Sequence, residues 1–194
     1  MPLPSAYDNF FFPLARKFIE EQLAKSLLEL PKQSKILDIG DQGKVFPRPF
    51  PEGSKVTTLD VDGSTGAHYV ANICEDNSVL IPPNSFDAVL LIEVLEHVCQ
   101  PFLAVDEVHR ILAPGGLLFF SSPLNCRIHG PLPDCWRFTE FGLQVLFRNY
   151  DTVRLDRFES PDRSLFPLQY FAVYKKPLVA RSVSLSGLKF ERLR

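Results

Sequence analysis

The run Lys35–Gly43, KILDIGDQG, constrains the fold more than any other stretch: a short apolar segment ends on an acid, and a turn with two glycines follows. A run of this length suits a buried strand, and glycines let the chain bend sharply while leaving room for a ligand against the backbone. In an open α/β sheet, ligands lie beyond the carboxyl ends of the strands. Asp38, Gly40 and Gly43 therefore stand where a nucleotide-like cofactor is held.

Composition narrows the field. At 194 residues the chain suits one domain with a full core, and 45% hydrophobic with 23% charged residues is ordinary for a globular protein. A formal net charge of −2 gives no pull toward nucleic acid or anionic lipid, so no nucleic-acid partner is expected. No apolar run is long enough to cross a bilayer, and MPLPSAYDNFFF lacks a basic segment leading into an apolar core; the expectation is a cytoplasmic protein without a membrane span. Cys74, Cys99, Cys126 and Cys135 form no CxxC and have no partnering histidine spacing, which favours reduced thiols over disulfides or a zinc site, and no metal is expected.

Leu14, Phe18, Leu23, Leu27 and Leu30 recur at helical spacing, with Pro13 placed to open that helix and Pro31 to end it. The first strand is Lys35–Ile39. Pro47, Pro49 and Pro51 then leave no room for a long helix after the glycine turn, which suits a cofactor without phosphates better than a dinucleotide. The second strand, Val56–Leu59, meets Asp60, twenty residues after Gly40, a spacing at which an acid accepts from ribose hydroxyls. A short third strand near His68–Ala71 ends at Asn72. Phe86–Leu91, FDAVLL, is apolar but for Asp87 and reads as a strand covered on both faces. Pro101 opens a helix that APGG, Ala113–Gly116, stops, and Leu117–Ser121 is the fifth strand. A long Pro- and Gly-rich loop follows, Thr139 caps a helix to about Asn149, and Thr152–Phe158 with Leu168–Tyr174 reads as an antiparallel pair. The segment after Lys175 is basic and reads as a loose tail, with docking to a protein partner as its alternative.

Together these residues resemble the class I S-adenosylmethionine-dependent methyltransferases, from Tyr7 to Tyr174. SFDAVLLIEVLEHV followed by EVHRILAPGGLLFFSSP is similar to the family's fourth strand, its LEHV turn, the next helix and the PGG turn into strand five. IHGPLPDCWRFT is similar to the HG...DYWRFT segment of one branch of type 11-like members. The resemblance implies a single Rossmann-like α/β domain over 1–176, followed by a basic tail over 177–194. Its sheet would have seven mostly parallel strands in the order 3-2-1-4-5-7-6, with helices on both faces.

It also implies S-adenosyl-L-methionine as cofactor, with Asp38 and Gly40 at its methionine end, Asp60 on the ribose, Asn72 at the adenine amino group and Glu93 beside the amino and sulfonium region. The partner is a small-molecule methyl acceptor, a saccharide or another hydroxylated metabolite. A hydroxyl acceptor calls for a base, for which His129 and His97 are the candidates, while Asp134, Trp136 and Arg137 are candidates for holding the acceptor. Two positions depart from the pattern: Gln42 replaces the second glycine of the turn and Cys135 the branch's tyrosine. The alternative they raise is a non-catalytic binding or scaffold protein on the same fold.

Overall fold

The computed structural model describes residues 5–40, 48–130, 133–163, 165–179 and 181–190. Helix α1, Ala6–Leu27, starts about two turns earlier than Pro13 suggests. Ser5 caps it: its hydroxyl accepts from the Asp8 amide, and Asp8 accepts in return from the Ser5 amide at 2.8 Å. Pro13 thus lies inside the helix and not at its start, a correction that follows from this reciprocal cap.

Strands β1 (Lys35–Ile39), β2 (Lys55–Asp60), β3 (Tyr69–Val70) and β4 (Phe86–Ile92) precede α2 (Pro101–Ile111). Strand β5 (Leu112–Pro123), α3 (Glu140–Leu146), β6 (Asp151–Glu159) and β7 (Pro167–Lys175) follow. Residues 48–54, between β1 and β2, contain no helix. The sheet order is β3-β2-β1-β4-β5-β7-β6; β7 runs antiparallel to both neighbours and every other pairing is parallel.

Strand β5 starts five residues before the expected point because Ala113–Gly116 is a bulge inside it. The register jumps from Phe86↔Leu112 to Ala88↔Leu117, and Gly115 adopts φ +81°. Glycine is required at Gly116, where a Cβ would lie 2.9 Å from the Ala113 and Asp87 carbonyl oxygens.

Alternation along the strands divides the core into two layers. Leu91, Leu118 and Phe120 face α2 and α3 with Val105, Val108 and Leu143, while Leu90, Phe119 and Phe171 face α1 with Ile19, Leu23 and Leu27. Helices therefore cover both faces, and strand β4 is buried from Ala88 to Ile92. Residues 181–190, expected as a loose tail, lie against the α3–β6 corner: Arg181 pairs with Asp151 at 2.8 Å, and the Val183 amide donates to Asn149. No helix is long and apolar enough to cross a membrane among the described residues.

Candidate active site

At the carboxyl ends of β1 and β4 a cavity of about 560 Å³ opens, with α1 as its far wall. Gly40, Glu93, His97 and His129 line it, together with Phe12, Arg16, Arg48, Cys126 and Gln169. This volume lies within the ~300–1,000 Å³ of small-molecule sites.

Gly40 allows the floor to form. Its φ of +71° suits glycine, and a Cβ there would come within 2.7 Å of Val94 Cγ2. The chain thus passes directly under β4's exit, with the Gly40 amide donating to the Leu59 carbonyl at 2.9 Å. Asp38, two residues back on β1, is 1% exposed and pairs with Arg48, whose guanidinium returns across the tip of β1. Gln42 and Gly43, on which the altered glycine pattern bears, lie outside the described residues.

At the tip of β4, Glu93 adopts φ +55° and accepts from Ser121 Oγ at 2.7 Å and from Gln169 Nε2 at 2.6 Å. Burial pushes its carboxyl up to about 7 against these two donors. Glu96, three residues on, is 0% exposed, and burial followed by the nearby Glu93 charge raises its carboxyl well above the usual range.

The loop after β5 is fastened onto this turn. The Glu96 carbonyl accepts from the Cys135 amide at 2.6 Å and the Trp136 amide at 3.2 Å, while Trp136 Nε1 donates to the Val98 carbonyl at 2.8 Å. His97 Nδ1 lies 3.1 Å from the Pro133 carbonyl. These bonds set the His97 and His129 rings 5.1 Å apart and nearly perpendicular. Asp134 accepts from the His129 amide at 2.9 Å and from both terminal nitrogens of Arg137, at 2.5 and 2.7 Å. Burial raises the Asp134 carboxyl, but the Arg137 fork and the His129 amide outweigh it and hold it at about 2.

The proposed site residues therefore fall into three groups, with Asp38 buried under the floor and not among the cavity's walls. Gly40, Glu93, His97 and His129 share the cavity; Asp134, Trp136 and Arg137 are not among its walls and instead brace the loop that carries His129. Asp60 and Asn72 stand at the tips of β2 and β3, outside the cavity lining. Asp60 accepts from the Asp62 amide at 2.9 Å, and Asn72 Oδ1 accepts from the Cys74 amide at 3.0 Å. Arg16, Arg48 and Gln169 were missed in the sequence. Gln169 had a signal, being the lone amide in the apolar run LQYFAVY; Arg16 and Arg48 had none, because only tertiary folding brings them to the strand tips.

A methyltransferase-domain model matches residues 9–167. The chain belongs to the class I S-adenosylmethionine-dependent methyltransferases. It is 26% identical over 129 residues to a ubiquinone biosynthesis O-methyltransferase of Colwellia psychrerythraea, covering 57% of this chain and 52% of that protein. A Klebsiella pneumoniae protein of the same name is 30% identical over 102 residues, covering 45% and 42%. The chain thus spans about half the length of these curated relatives.

Among solved structures, the N-methyltransferase NodS of Bradyrhizobium japonicum WM9 in complex with S-adenosyl-L-homocysteine shares the fold. It superposes with a TM-score of 0.61 at 22% identity, over 83% of this chain and 87% of that chain. The [4+2]-cyclase SpnF superposes with a TM-score of 0.66 at 15% identity, covering 84% and 81%, so the likeness of fold leaves the chemistry to be argued from the site.

Proposed function

We propose that this methyltransferase moves the methyl group of S-adenosylmethionine to an oxygen of a small hydroxylated molecule, a saccharide among the candidates. The supporting observation is the shared cavity: Gly40 and Glu93 at the strand tips open onto the same space as His97 and His129. The tight passage at Gly40, closed to any Cβ, suits a cofactor lying flat on the β1 turn.

In this reading Asp38, Gly40 and Arg48 hold the methionine end, with Arg16 facing its carboxylate across the cavity. Asp60 accepts from the ribose hydroxyls, Asn72 meets the adenine amino group, and Glu93 borders the sulfonium. When bound, S-adenosylmethionine supplies an electrophilic methyl, and the protein's contribution is chiefly alignment. A histidine at the cavity receives the acceptor's proton as the oxygen–methyl bond forms and the sulfur–methyl bond breaks, its electron pair going to sulfur. Asp134, held by Arg137, keeps the His129 loop in place for that transfer. The hydroxyl acceptor is also favoured by the O-methyltransferase name of the curated relatives.

Titration calorimetry with S-adenosylhomocysteine tests the reading. Binding is expected, and Asp60→Ala should weaken it about 10- to 100-fold by removing hydrogen bonds to a charged acceptor. No heat from the intact chain would overturn it. Binding without turnover of S-adenosylmethionine to S-adenosylhomocysteine across a panel of sugars and phenols would favour the non-catalytic alternative.

A further inference from the structure

We propose that Glu96, His97 and His129 form a binding site for one late first-row divalent cation, zinc foremost, at the inner wall of the cavity. One ligand atom from each residue lies within 4.8 Å of the other two. A tetrahedral ion with bonds of about 2.0–2.1 Å needs its ligand atoms roughly 3.3 Å apart, so the three side chains would draw together on binding it.

The independent observation is Glu96. Its side chain is 0% exposed, and neither carboxylate oxygen meets a hydrogen-bond donor of good geometry among the described residues. A buried carboxylate in this state needs a partner, and a cation between it and the two imidazoles is one.

The histidines are set to receive the ion. His97 Nδ1 faces the Pro133 carbonyl at 3.1 Å, and His129 Nδ1 faces the Arg127 carbonyl at 3.3 Å and Asp134 Oδ2 at 3.2 Å. Carbonyl and carboxylate oxygens only accept, so each Nδ1 carries the hydrogen and each Nε2 turns a lone pair outward. An outer oxygen that fixes the ring in this way is the usual support of a metal-bound histidine. His97 Nε2 and Glu96 Oε1 are 4.0 Å apart. Two imidazoles select zinc, cobalt or nickel over magnesium and calcium, which take oxygen ligands. Three protein ligands leave a coordination position open, and the two histidines place it toward the cavity. The sequence spacing shows no such site because the ligands come from two separate loops.

Ion binding does not require the methyl donor, so the site and the proposed function have separate readouts. The full chain, stripped with chelator, is titrated with Co²⁺ and followed by its visible ligand-field absorption, then challenged with Zn²⁺. One equivalent of Co²⁺, displaced by Zn²⁺, is expected. His129→Gln and Glu96→Gln should each weaken binding about tenfold or more, while His109→Gln and the double change Cys99→Ser with Cys135→Ser leave it unchanged. His129 is partly exposed, so its variant remains informative if Glu96→Gln fails to fold. Absence of binding, binding unaltered in His129→Gln, or binding lost with the two thiols would overturn the proposal.

Discussion

Gly40 is where conformation and space both exclude a side chain. A left-handed φ of +71° costs a non-glycine residue about 1–2 kcal/mol, and the methyl of an alanine would also press on Val94. Gly40→Ala should therefore lower stability in urea by about 2 kcal/mol or more. Adding Val94→Ala should return only the part due to overlap, since the backbone cost remains. Full recovery in the double variant would show that the backbone is not strained. Gly40 was legible as a turn glycine because it directly follows an apolar strand; Arg48 was not, because its pairing with the acid of β1 depends on where the intervening loop returns. Glu96 was not legible for the same reason: burial of a carboxylate beneath another loop leaves no local signature.

Elements were legible where their own periodicity or punctuation decided them. The apolar run at β4, the Pro101 start of α2 and the Thr139 cap of α3 all lie where the residues place them. Errors arose where one residue served two grammars. Pro13 marks a helix start in isolation, yet the Ser5–Asp8 box had already begun α1; Ala113–Gly116 ends a helix in isolation, yet the sheet absorbs it as a bulge.

Helix α2 also ties the β3–β4 connection to the domain through Glu107. Its carboxylate accepts from Arg110 Nε and Nη2, each at 2.7 Å, and from the Asn77 amide at 3.0 Å. Burial raises the Glu107 carboxyl, but the Arg110 hydrogen bonds and then the Asn77 amide outweigh it, leaving it below its ordinary value of 4.5. An acid depressed in the folded state stabilises above its unfolded pKa, and that contribution is lost as pH falls through the folded one. Wild type should thus lose stability on acidification below about pH 4.5 more steeply than Glu107→Gln, while the variant is the less stable at neutral pH. Parallel melting curves from pH 3 to 7 measure the difference; equal slopes would remove Glu107 from the acid response.

At the scale of the whole molecule, α1 joins stability to binding, since one helix closes a core layer with one half and a cavity with the other. Ile19, Leu23 and Leu27 pack on Leu90, Phe119 and Phe171, while Phe12, Arg16 and again Ile19 face the cavity. Truncating fully buried Leu23 should cost about 2–5 kcal/mol, because the sheet beneath cannot collapse into the space. Phe12 is 37% exposed, so Phe12→Ala should leave stability nearly unchanged yet weaken S-adenosylhomocysteine. A ligand that binds only with α1 docked stabilises the docked state by mass action. Hydrogen exchange along α1 should therefore slow when the nucleoside is added, and slow most around Phe12 to Ile19. If Phe12→Ala bound as wild type and exchange in α1 ignored the ligand, the cavity would belong to the sheet alone, and α1 would be only the cover of its second face.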